Sequence, residues 1–385
     1  MIELSDDQRD LQEMVARLAE EVYAPRALEW DAEFTFLPAE ERLRLGELGL
    51  LGIALPEEYG GGGLDLLSAL IAIEEMARRN QVAAFQMFES NTGPARVVEV
   101  LGSEEQKRRW LPPIASGERM LSLAISEPDA GSAATDLSTS ARLDGDEFVI
   151  DGNKRWSTGG GHADQYLVYV RLDDTPGARG IGAIVVDADT PGVSFGPQER
   201  MMGFHGMPSA DITFDGARVP KDNLVVQAGD FAKLFSAFSI ERLGNATMSL
   251  AIGQACLDRC VAYAQERSQF GKELIEFQAV QMAIADMVVD VDAARLLVYR
   301  AALGAGKGVP VSLEASVAKC FANAMAKRVS DAAIQLHGGY GYHPDYHVER
   351  HHRDAHGWAI AGGTPTMQRI RIVSEYLGRR FDQRR

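Results

Sequence analysis

The chain has 385 residues, of which 46% are hydrophobic and 24% charged, and its formal net charge is -16. This length suffices for about two or three structural units with sizeable cores. The acidic balance argues against a nucleic-acid partner or an anionic membrane surface, since either would repel the protein.

Three cysteines, Cys256, Cys260 and Cys320, are too few for a disulfide framework and fit a reducing compartment. The N-terminus is acidic and amphipathic, unlike a signal or transit peptide, and no apolar run approaches membrane-spanning length. We therefore expect a cytoplasmic protein without a membrane segment.

Residues 4–120 have the spacing of helices. Ser5, followed by two aspartates, is a typical N-cap and predicts a helix to about Val22. Helical spacing resumes at Pro38 and continues over residues 67–80 and 85–102.

Two further signals interrupt this helical region. The four glycines 60–63 have no strand before them, so they predict a turn rather than a phosphate-binding loop. Pro112 and Pro113 are expected to stop a short helix that begins near residue 103.

From about Met120 the side chains alternate as they do in strands. Short segments rich in β-branched and aromatic residues predict strands at 120–126, 147–156, 164–172, 180–188, 192–198 and 209–220. Helical spacing returns from about Lys221. The order helices, strands, helices lacks βαβ alternation, which disfavours a dinucleotide-binding fold of the Rossmann type.

The stretch 235–274 predicts a helix of more than thirty residues followed by a charged loop. One face carries a carboxylate in line with four apolar side chains: Glu241 with Leu234, Phe238, Met248 and Ile252. Arg242 is adjacent in sequence, but neighbouring helical residues do not face each other. The ordinary interpretation is a buried Glu paired with a cation from another segment; a catalytic carboxylate is the alternative.

Six motifs give the chain a family resemblance along nearly its whole length. They read LSLAISEPDAGSAATDLST, DGNKRWSTGG, MGFHGMPSADITFDGARVP, AYAQERSQFGKELIEFQAVQ, AIQLHGGYGYHPDYHVERHHRDAH and GGTPTMQR. In this order and spacing the sequence resembles the acyl-CoA dehydrogenase superfamily. The resemblance implies an α+β multidomain fold with an N-terminal helical domain (1–120), a middle β-barrel-like domain (121–225) and a C-terminal four-helix bundle (226–385).

The resemblance also implies a homotetramer, a dimer of dimers, with FAD between the β domain and the C-terminal helices. The positions that match flavin-contacting residues of the family are Ser126, Ser132, Trp156 and Thr158. Those that match contacts to the rest of FAD, in part across a subunit interface, are Arg267, Phe270, Gln335, Gly339, Thr364 and Thr366. Taken singly, Trp156 could be a core residue, Arg267 a solvated cation and Gly339 part of a helix C-cap.

The resemblance implies α,β-dehydrogenation of an acyl-CoA or acyl-carrier thioester, which requires a general base at the α-carbon. Many members carry a Glu where this chain has Gly362. A subset carries the Glu on the long helix before an arginine, which matches Glu241 and Arg242. Glu241 is therefore the expected base, and Arg242, Gly362 and Ser132 are expected to bind substrate, Gly362 through its backbone N–H.

Glu89 falls in the helical region that lines the acyl pocket of relatives. A polar acyl group is one interpretation of this position, and a structural Glu is the favoured one.

The histidines 343, 347, 351, 352 and 356 have spacing that could suit a metal, but Pro344 interrupts them and the matching family helix carries none. We expect no metal.

The electron acceptor implied by the resemblance is an electron-transfer flavoprotein. Three other interpretations are an enoyl-CoA reductase similar to the crotonobetainyl-CoA type, a flavin oxidase or monooxygenase on the same fold, and a non-enzymatic flavin scaffold or nucleic-acid-associated relative without a working base. The acidic balance and Glu241 count against the last.

Overall fold

A computed structural model describes residues 2–379 and 381. Its N-terminal part is helical. The helices are α1 (Asp6–Leu18), α2 (Ala27–Glu33), α3 (Ala39–Glu47), α4 (Leu66–Arg79), α5 (Gln81–Asn91), α6 (Pro94–Leu101) and α7 (Glu104–Ala115). The Ser5 cap is confirmed, because its Oγ accepts a hydrogen bond from Gln8 N at 3.2 Å; beyond Leu18 the chain continues as a wider π turn over Ala19–Tyr23.

Two helix predictions in this region were wrong. The expected helix over 85–102 is broken between α5 and α6, where Thr92 donates its Oγ1 proton to the Phe88 carbonyl and Gly93 precedes Pro94. Pro112 and Pro113 lie inside α7 instead of stopping it. The carbonyls that lose their N–H donors belong to the exposed Arg108 and Arg109, where water can replace the bond.

The predicted glycine turn is confirmed. A short 3-10 turn at Glu57–Tyr59 ends at Gly60, whose φ of 81° lies in the left-handed region.

The middle part is an eight-stranded mixed sheet. Its strands are β1 (Leu121–Ala124), β2 (Ser140–Asp144), β3 (Glu147–Thr158), β4 (Gln165–Arg171), β5 (Ile181–Asp187), β6 (Val193–Phe195), β7 (Ser209–Pro220) and β8 (Leu224–Val226). The order is β6-β7-β3-β2-β4-β5-β8, with β1 parallel to β4. All six predicted strands are present.

Strands β2 and β8 were not predicted from the sequence. In β2 only Ala141 is buried, so its apolar signal is weak, and β8 has three residues. A small hairpin, β9 (Ser268–Gln269) with β10 (Lys272–Glu273), forms the predicted charged loop after the long helix.

Five helices follow the sheet: α8 (Phe231–Glu266), α9 (Gln278–Ala305), α10 (Ser312–His337), α11 (Val348–Ile360) and α12 (Pro365–Tyr376). Helix α8 has 36 residues, which confirms the long helix. It packs against α9, α10 and α11 and also against α4, α5 and α6. It therefore links the two helical parts, and its buried middle lies between them. None of the described helices is long and apolar enough to cross a membrane.

Candidate active site around Glu241 and Gly362

Glu241 lies in the buried middle of α8 and is only 7% exposed. Its Oε2 has no hydrogen-bond partner. Across residues 2–379 no Lys or Arg comes within ion-pair distance of its carboxylate. The ordinary interpretation, a buried Glu paired with a cation, thus fails for the part of the chain described here.

The Glu241 carboxyl occupies the space next to Gly362. A Cβ added at Gly362 would lie 2.6 Å from Glu241 Oε1 and 2.9 Å from Oε2, which no real contact permits. Gly362 has a φ of 63°, and glycine adopts this conformation without strain. A side chain at position 362 would therefore overlap with the Glu241 carboxyl. In this chain the space is filled by Glu241, which extends into it from α8.

Burial sets the proton affinity of Glu241. Loss of hydration raises the pKa of its carboxyl above the ordinary value, while the charges of Lys319 and Arg242 act in the opposite direction. A buried carboxylate without an ion pair and with a raised pKa is a stronger base than a solvated one.

Arg242 is buried beside aromatic rings. Its Nη1 donates to Ser239 Oγ at 3.0 Å, and its guanidinium lies 4.8 Å from the ring centre of Phe235 and 5.5 Å from that of Phe238. Burial, with the nearby charge of Arg371, lowers the pKa of Arg242 to about 9. Its Nε has no partner, so it retains a donor for a further group.

The residues expected to contact the flavin ring cluster at one end of the sheet. The Ser126 carbonyl accepts a hydrogen bond from Arg155 N at 2.8 Å, which ties the loop after β1 to β3. Trp156, at a φ of 60°, is 49% exposed, and Thr158 is the last residue of β3. Ser132 is exposed further along the same loop.

Under this loop lies a buried ion pair. Lys154 Nζ is 2.8 Å from Glu127 Oε1, and Glu127 also accepts hydrogen bonds from the backbone N–H groups of Ser138 and Thr139. Burial alone would raise the pKa of Glu127, but Lys154 and these hydrogen bonds lower it to about 2. The pair fixes the start of the loop that carries Ser126 and Ser132.

A second group lies at the far end of α8, in an open cleft of about 500 Å³. Arg267 and Gly339 line it, with the Arg267 guanidinium 5.4 Å from the ring centre of Tyr340. Phe270 is 96% exposed at the tip of the β9–β10 hairpin and Gln335 is exposed on α10; neither lines the cleft.

Thr364 and Thr366 lie close after Gly362. The Thr364 Oγ1 caps α12 by accepting a hydrogen bond from Met367 N at 3.3 Å, and Thr366 is exposed in the first turn of that helix. Thr364 thereby fixes the end of the segment that carries Gly362.

Comparison with known proteins decides the family. The family models described as acyl-CoA dehydrogenase N-terminal, middle and C-terminal domains match residues 5–118, 122–217 and 231–377. The chain belongs to the acyl-CoA dehydrogenase family. It is thus a flavin oxidoreductase of the group that acts on the CH–CH bond of acyl-CoA.

Among curated relatives, the family member is 37% identical to the 3-(aryl)acrylate reductase of Clostridium sporogenes, over 96% of this chain and 99% of the relative. Among solved structures, butyryl-CoA dehydrogenase from Megasphaera elsdenii is 33% identical with a TM-score of 0.94, covering 98% of this chain and all of that one. A structure reported under an electron transferring flavoprotein of Acidaminococcus fermentans is 37% identical with a TM-score of 0.95, covering 98% and 99% of the two chains. The chain therefore has the three-domain fold of the acyl-CoA dehydrogenase family, as the motifs predicted.

Sequence reasoning missed Lys319, a buried residue of α10 that hydrogen-bonds the segment before Gly362 in this acyl-CoA dehydrogenase. Its buried Nζ donates to Asn245 Oδ1 at 3.0 Å, to Asn323 Oδ1 at 2.9 Å and to the Ala361 carbonyl at 2.9 Å. It thus anchors the residue that precedes Gly362 while its charge acts on Glu241. Burial lowers the pKa of Lys319 to about 8, against the influence of Glu241. Its position on the alanine-rich face of α10 was the available signal.

Glu89 is a second buried carboxyl, on α5. Ser122 Oγ donates to its Oε2 at 3.0 Å. Burial, together with the charge of Glu241, raises the pKa of Glu89 to about 8. The charge of Glu241 thus acts on a carboxyl of another helix, a relation that sequence reasoning did not predict.

The histidines of this segment have different surroundings in the described structure. His351 is fully buried without a hydrogen bond at either nitrogen, and His347 begins α11 in the left-handed region. Within the residues described, no three His, Cys, Asp or Glu side chains are placed to hold a metal ion.

Proposed function

We propose that this family member catalyses the α,β-dehydrogenation of an acyl thioester, with Glu241 as the base that removes the α-proton. The observation that carries the proposal is the position of the Glu241 carboxyl in the space where a side chain at residue 362 would lie. The family's usual base position is a glycine here, and a carboxylate from α8 reaches the same place.

The segment 361–363 offers a backbone hydrogen-bond donor, the N–H of Gly362. Gly362 N–H donates to no other group in the described chain. It can therefore donate to the thioester oxygen, where negative charge accumulates as the α-proton leaves. Lys319 holds the Ala361 carbonyl and so fixes the direction of the next N–H.

The residues fit FAD as the cofactor. An exposed indole at Trp156 with hydroxyls at Ser126 and Thr158 suits the flavin ring, and Arg267 beside Gly339 suits a pyrophosphate, since an arginine can bind it with two hydrogen bonds. Thr364, Thr366, Ser132, Phe270 and Gln335 would add contacts. When bound, FAD would supply the acceptor for the hydride from the β-carbon.

Arg267 lies far along α8 from the proposed base. Glu241 and Arg267 are on one helix, about 39 Å apart at 1.5 Å per residue. Because the resemblance puts these contacts in part across a subunit interface, we infer that Arg267, Phe270, Gln335 and Gly339 serve the flavin of a neighbouring subunit in a homotetramer.

The reverse reaction is a second candidate, because the chain is 37% identical to a protein named 3-(aryl)acrylate reductase. An electron-transfer flavoprotein remains the proposed acceptor in the dehydrogenation direction. A flavin oxidase is a further alternative, which the test below separates through reoxidation by oxygen. A carrier-protein thioester in place of acyl-CoA is another.

The test is anaerobic mixing of the purified holoenzyme with straight, branched and aromatic acyl-CoA thioesters, followed by flavin absorbance. Bleaching with a long-wavelength charge-transfer band by at least one thioester is expected. If no thioester bleaches the flavin, and prereduced enzyme is instead reoxidised by enoyl-CoA or by oxygen, the dehydrogenase assignment is replaced by reductase or oxidase.

A further inference from the structure

The outer face of α9 carries a regular apolar stripe. Four large side chains recur at every seventh position and are between 44% and 68% exposed: Met282, Val289, Leu296 and Leu303. Single exposed apolar side chains are common on protein surfaces and need no explanation. Four in one line along about 32 Å of helix are different, because a seven-residue apolar repeat is the pattern by which one helix packs along another.

The stripe lies opposite the face that α9 buries in its own subunit. Met282 and Val291 are nine residues apart, which is two and a half helical turns, so their side chains leave the helix in opposite directions. Val291 is buried, and the contacts of α9 with other helices are mainly to α4, α8 and α10. These contacts account for the inner apolar face of α9 and leave the outer one exposed.

The spacing of the stripe suits a contact between two copies of α9. If the copies run antiparallel with the stripe between them, Met282 of each copy faces Leu303 of the other, and Val289 faces Leu296. A twofold axis relates such a pair, so each contact is made twice and no apolar member of the stripe remains uncovered.

Charges beside the stripe favour this antiparallel arrangement. The same register brings Asp286 of one copy beside Arg300 of the other, on the same side of the stripe. Asp286 is exposed and forms no ion pair with any residue in the range 2–379, and the exposed Arg300 has only Glu314 near it, at 3.9 Å. A parallel pair would instead place each charge beside its own copy. Asp292 would approach its copy near the twofold axis, but the charge of Arg295, one turn away, offsets its own.

We propose that α9 forms a subunit interface by packing antiparallel against α9 of a second copy of this chain, in the register that joins Val289 to Leu296. The inference rests on the oligomer included in the proposed function and specifies one of its contacts. Its tests measure mass and cross-linking, so their outcome is distinguishable from that of the flavin assays.

The register is tested by disulfide cross-linking of the full-length holoenzyme. The double variant Val289→Cys with Leu296→Cys is expected to form a covalently linked dimer on oxidation with diamide, detected by non-reducing electrophoresis and reversed by dithiothreitol. Val289→Cys alone is the matched control, because residue 289 meets its own copy only in a parallel pair. The wild type, with its three native cysteines, sets the background. No linked dimer in the folded double variant, or equal linking in the single variant, would overturn the proposal.

The charge pair is tested by reversal. Asp286→Arg and Arg300→Asp should each raise the concentration at which the oligomer dissociates, and the double reversal should restore it toward the wild-type value, because the pair then re-forms with its signs exchanged. Light scattering across a dilution series measures this concentration. Leu143→Asp, at an exposed apolar residue of β2, is the control and should leave it unchanged. A monomeric wild type, or a double reversal that dissociates as readily as the single variants, would contradict the antiparallel pair.

A third variant tests the stripe itself. Val289→Asp with Leu296→Asp would bring four carboxylates together in the interface and should raise the dissociation concentration at least about tenfold. Both positions are exposed in the single subunit, so circular dichroism should show an unchanged fold. An oligomer as resistant to dilution as the wild type would show that the stripe is not an interface.

Discussion

At the scale of single residues, the site depends on the fact that the side chains of positions 241 and 362 would occupy the same space. The Glu241 carboxyl is 2.6 Å from where a Gly362 Cβ would be, so only one of the two positions can carry a long side chain. The proposed dehydrogenation requires a carboxylate at one point next to the α-carbon, and two backbone positions can supply it.

This shared space can be tested by moving the base. Glu241→Gly alone should remove almost all α-proton abstraction, because general bases contribute about 10²–10⁴-fold or more. The double variant Glu241→Gly with Gly362→Glu should recover part of the lost rate, since the vacated space accepts the new side chain. Recovery will be incomplete, because a non-glycine residue at a φ of 63° costs about 1–3 kcal/mol. Stopped-flow flavin reduction measures both variants; a double variant no faster than the single one contradicts the shared-space account.

The pH dependence follows from the buried carboxyl. Glu241 removes a proton only when ionised, and burial raises its pKa above 4.5. The rate of α-proton exchange should therefore increase with pH, with a midpoint higher than that of an ordinary glutamate. Lys319→Met removes a charge that lowers this pKa, so the midpoint should move to higher pH in that variant. A midpoint unchanged in folded Lys319→Met would show that Lys319 has no electrostatic part in the site.

The sequence predicted Glu241 and Gly362 because both lie in readable motifs, FSIERLGNA and GGTPTMQR. It did not predict the Lys319 and Ser122 contacts, because these join residues far apart in the chain and depend on how α10 meets α11 and how α5 meets β1. A residue's partner across a tertiary interface is not encoded in local spacing.

At the scale of elements, periodicity predicted the long helix and six strands. It failed where local rules were overridden: Pro112 and Pro113 are tolerated because the affected carbonyls face solvent, and β2 has too little buried surface to give a signal. The break after α5 depends on Thr92 bonding back to Phe88, a local side-chain effect that competes with helix periodicity.

The loop that carries Ser126 should depend on the buried Glu127–Lys154 pair. Lys154→Met leaves the Glu127 charge buried without its cation, and loss of one partner of such a pair costs about 3–5 kcal/mol. Chemical denaturation should show this loss, together with weaker FAD retention. Lys221→Met, which removes an exposed ion pair with Asp146, is the control and should have little effect. Equal stability of both variants would rule out this role for the pair.

At the scale of the whole molecule, α8 connects the reaction centre to the cleft around Arg267. The rise of α8 puts about 39 Å between Glu241 and Arg267, in accord with the proposal that a second subunit completes each active site. From the sequence, a shared site between subunits could be predicted only through the family resemblance. The length of the helix becomes informative only after Glu241 and Arg267 have each been assigned a role.

Mixed oligomers test this arrangement. Glu241→Gln subunits and Arg267→Ala subunits should each be inactive, the second through loss of FAD. Co-expressed, they should regain a fraction of wild-type activity, because some sites then combine an intact Glu241 from one subunit with an intact Arg267 from another. Activity no greater than that of the separate variants, in oligomers shown to contain both chains, would place Arg267 in the same site as Glu241 of its own subunit or outside the site.

The measurement that tests the central claim most directly is α-proton exchange with solvent deuterium in the Glu241→Gln holoenzyme, using a thioester that the wild type accepts. We predict that this variant retains FAD and binds the thioester but loses exchange by at least about 10²-fold, because an amide cannot accept the α-proton. Exchange at the wild-type rate in a flavin-loaded Glu241→Gln enzyme would contradict the assignment of Glu241 as the base.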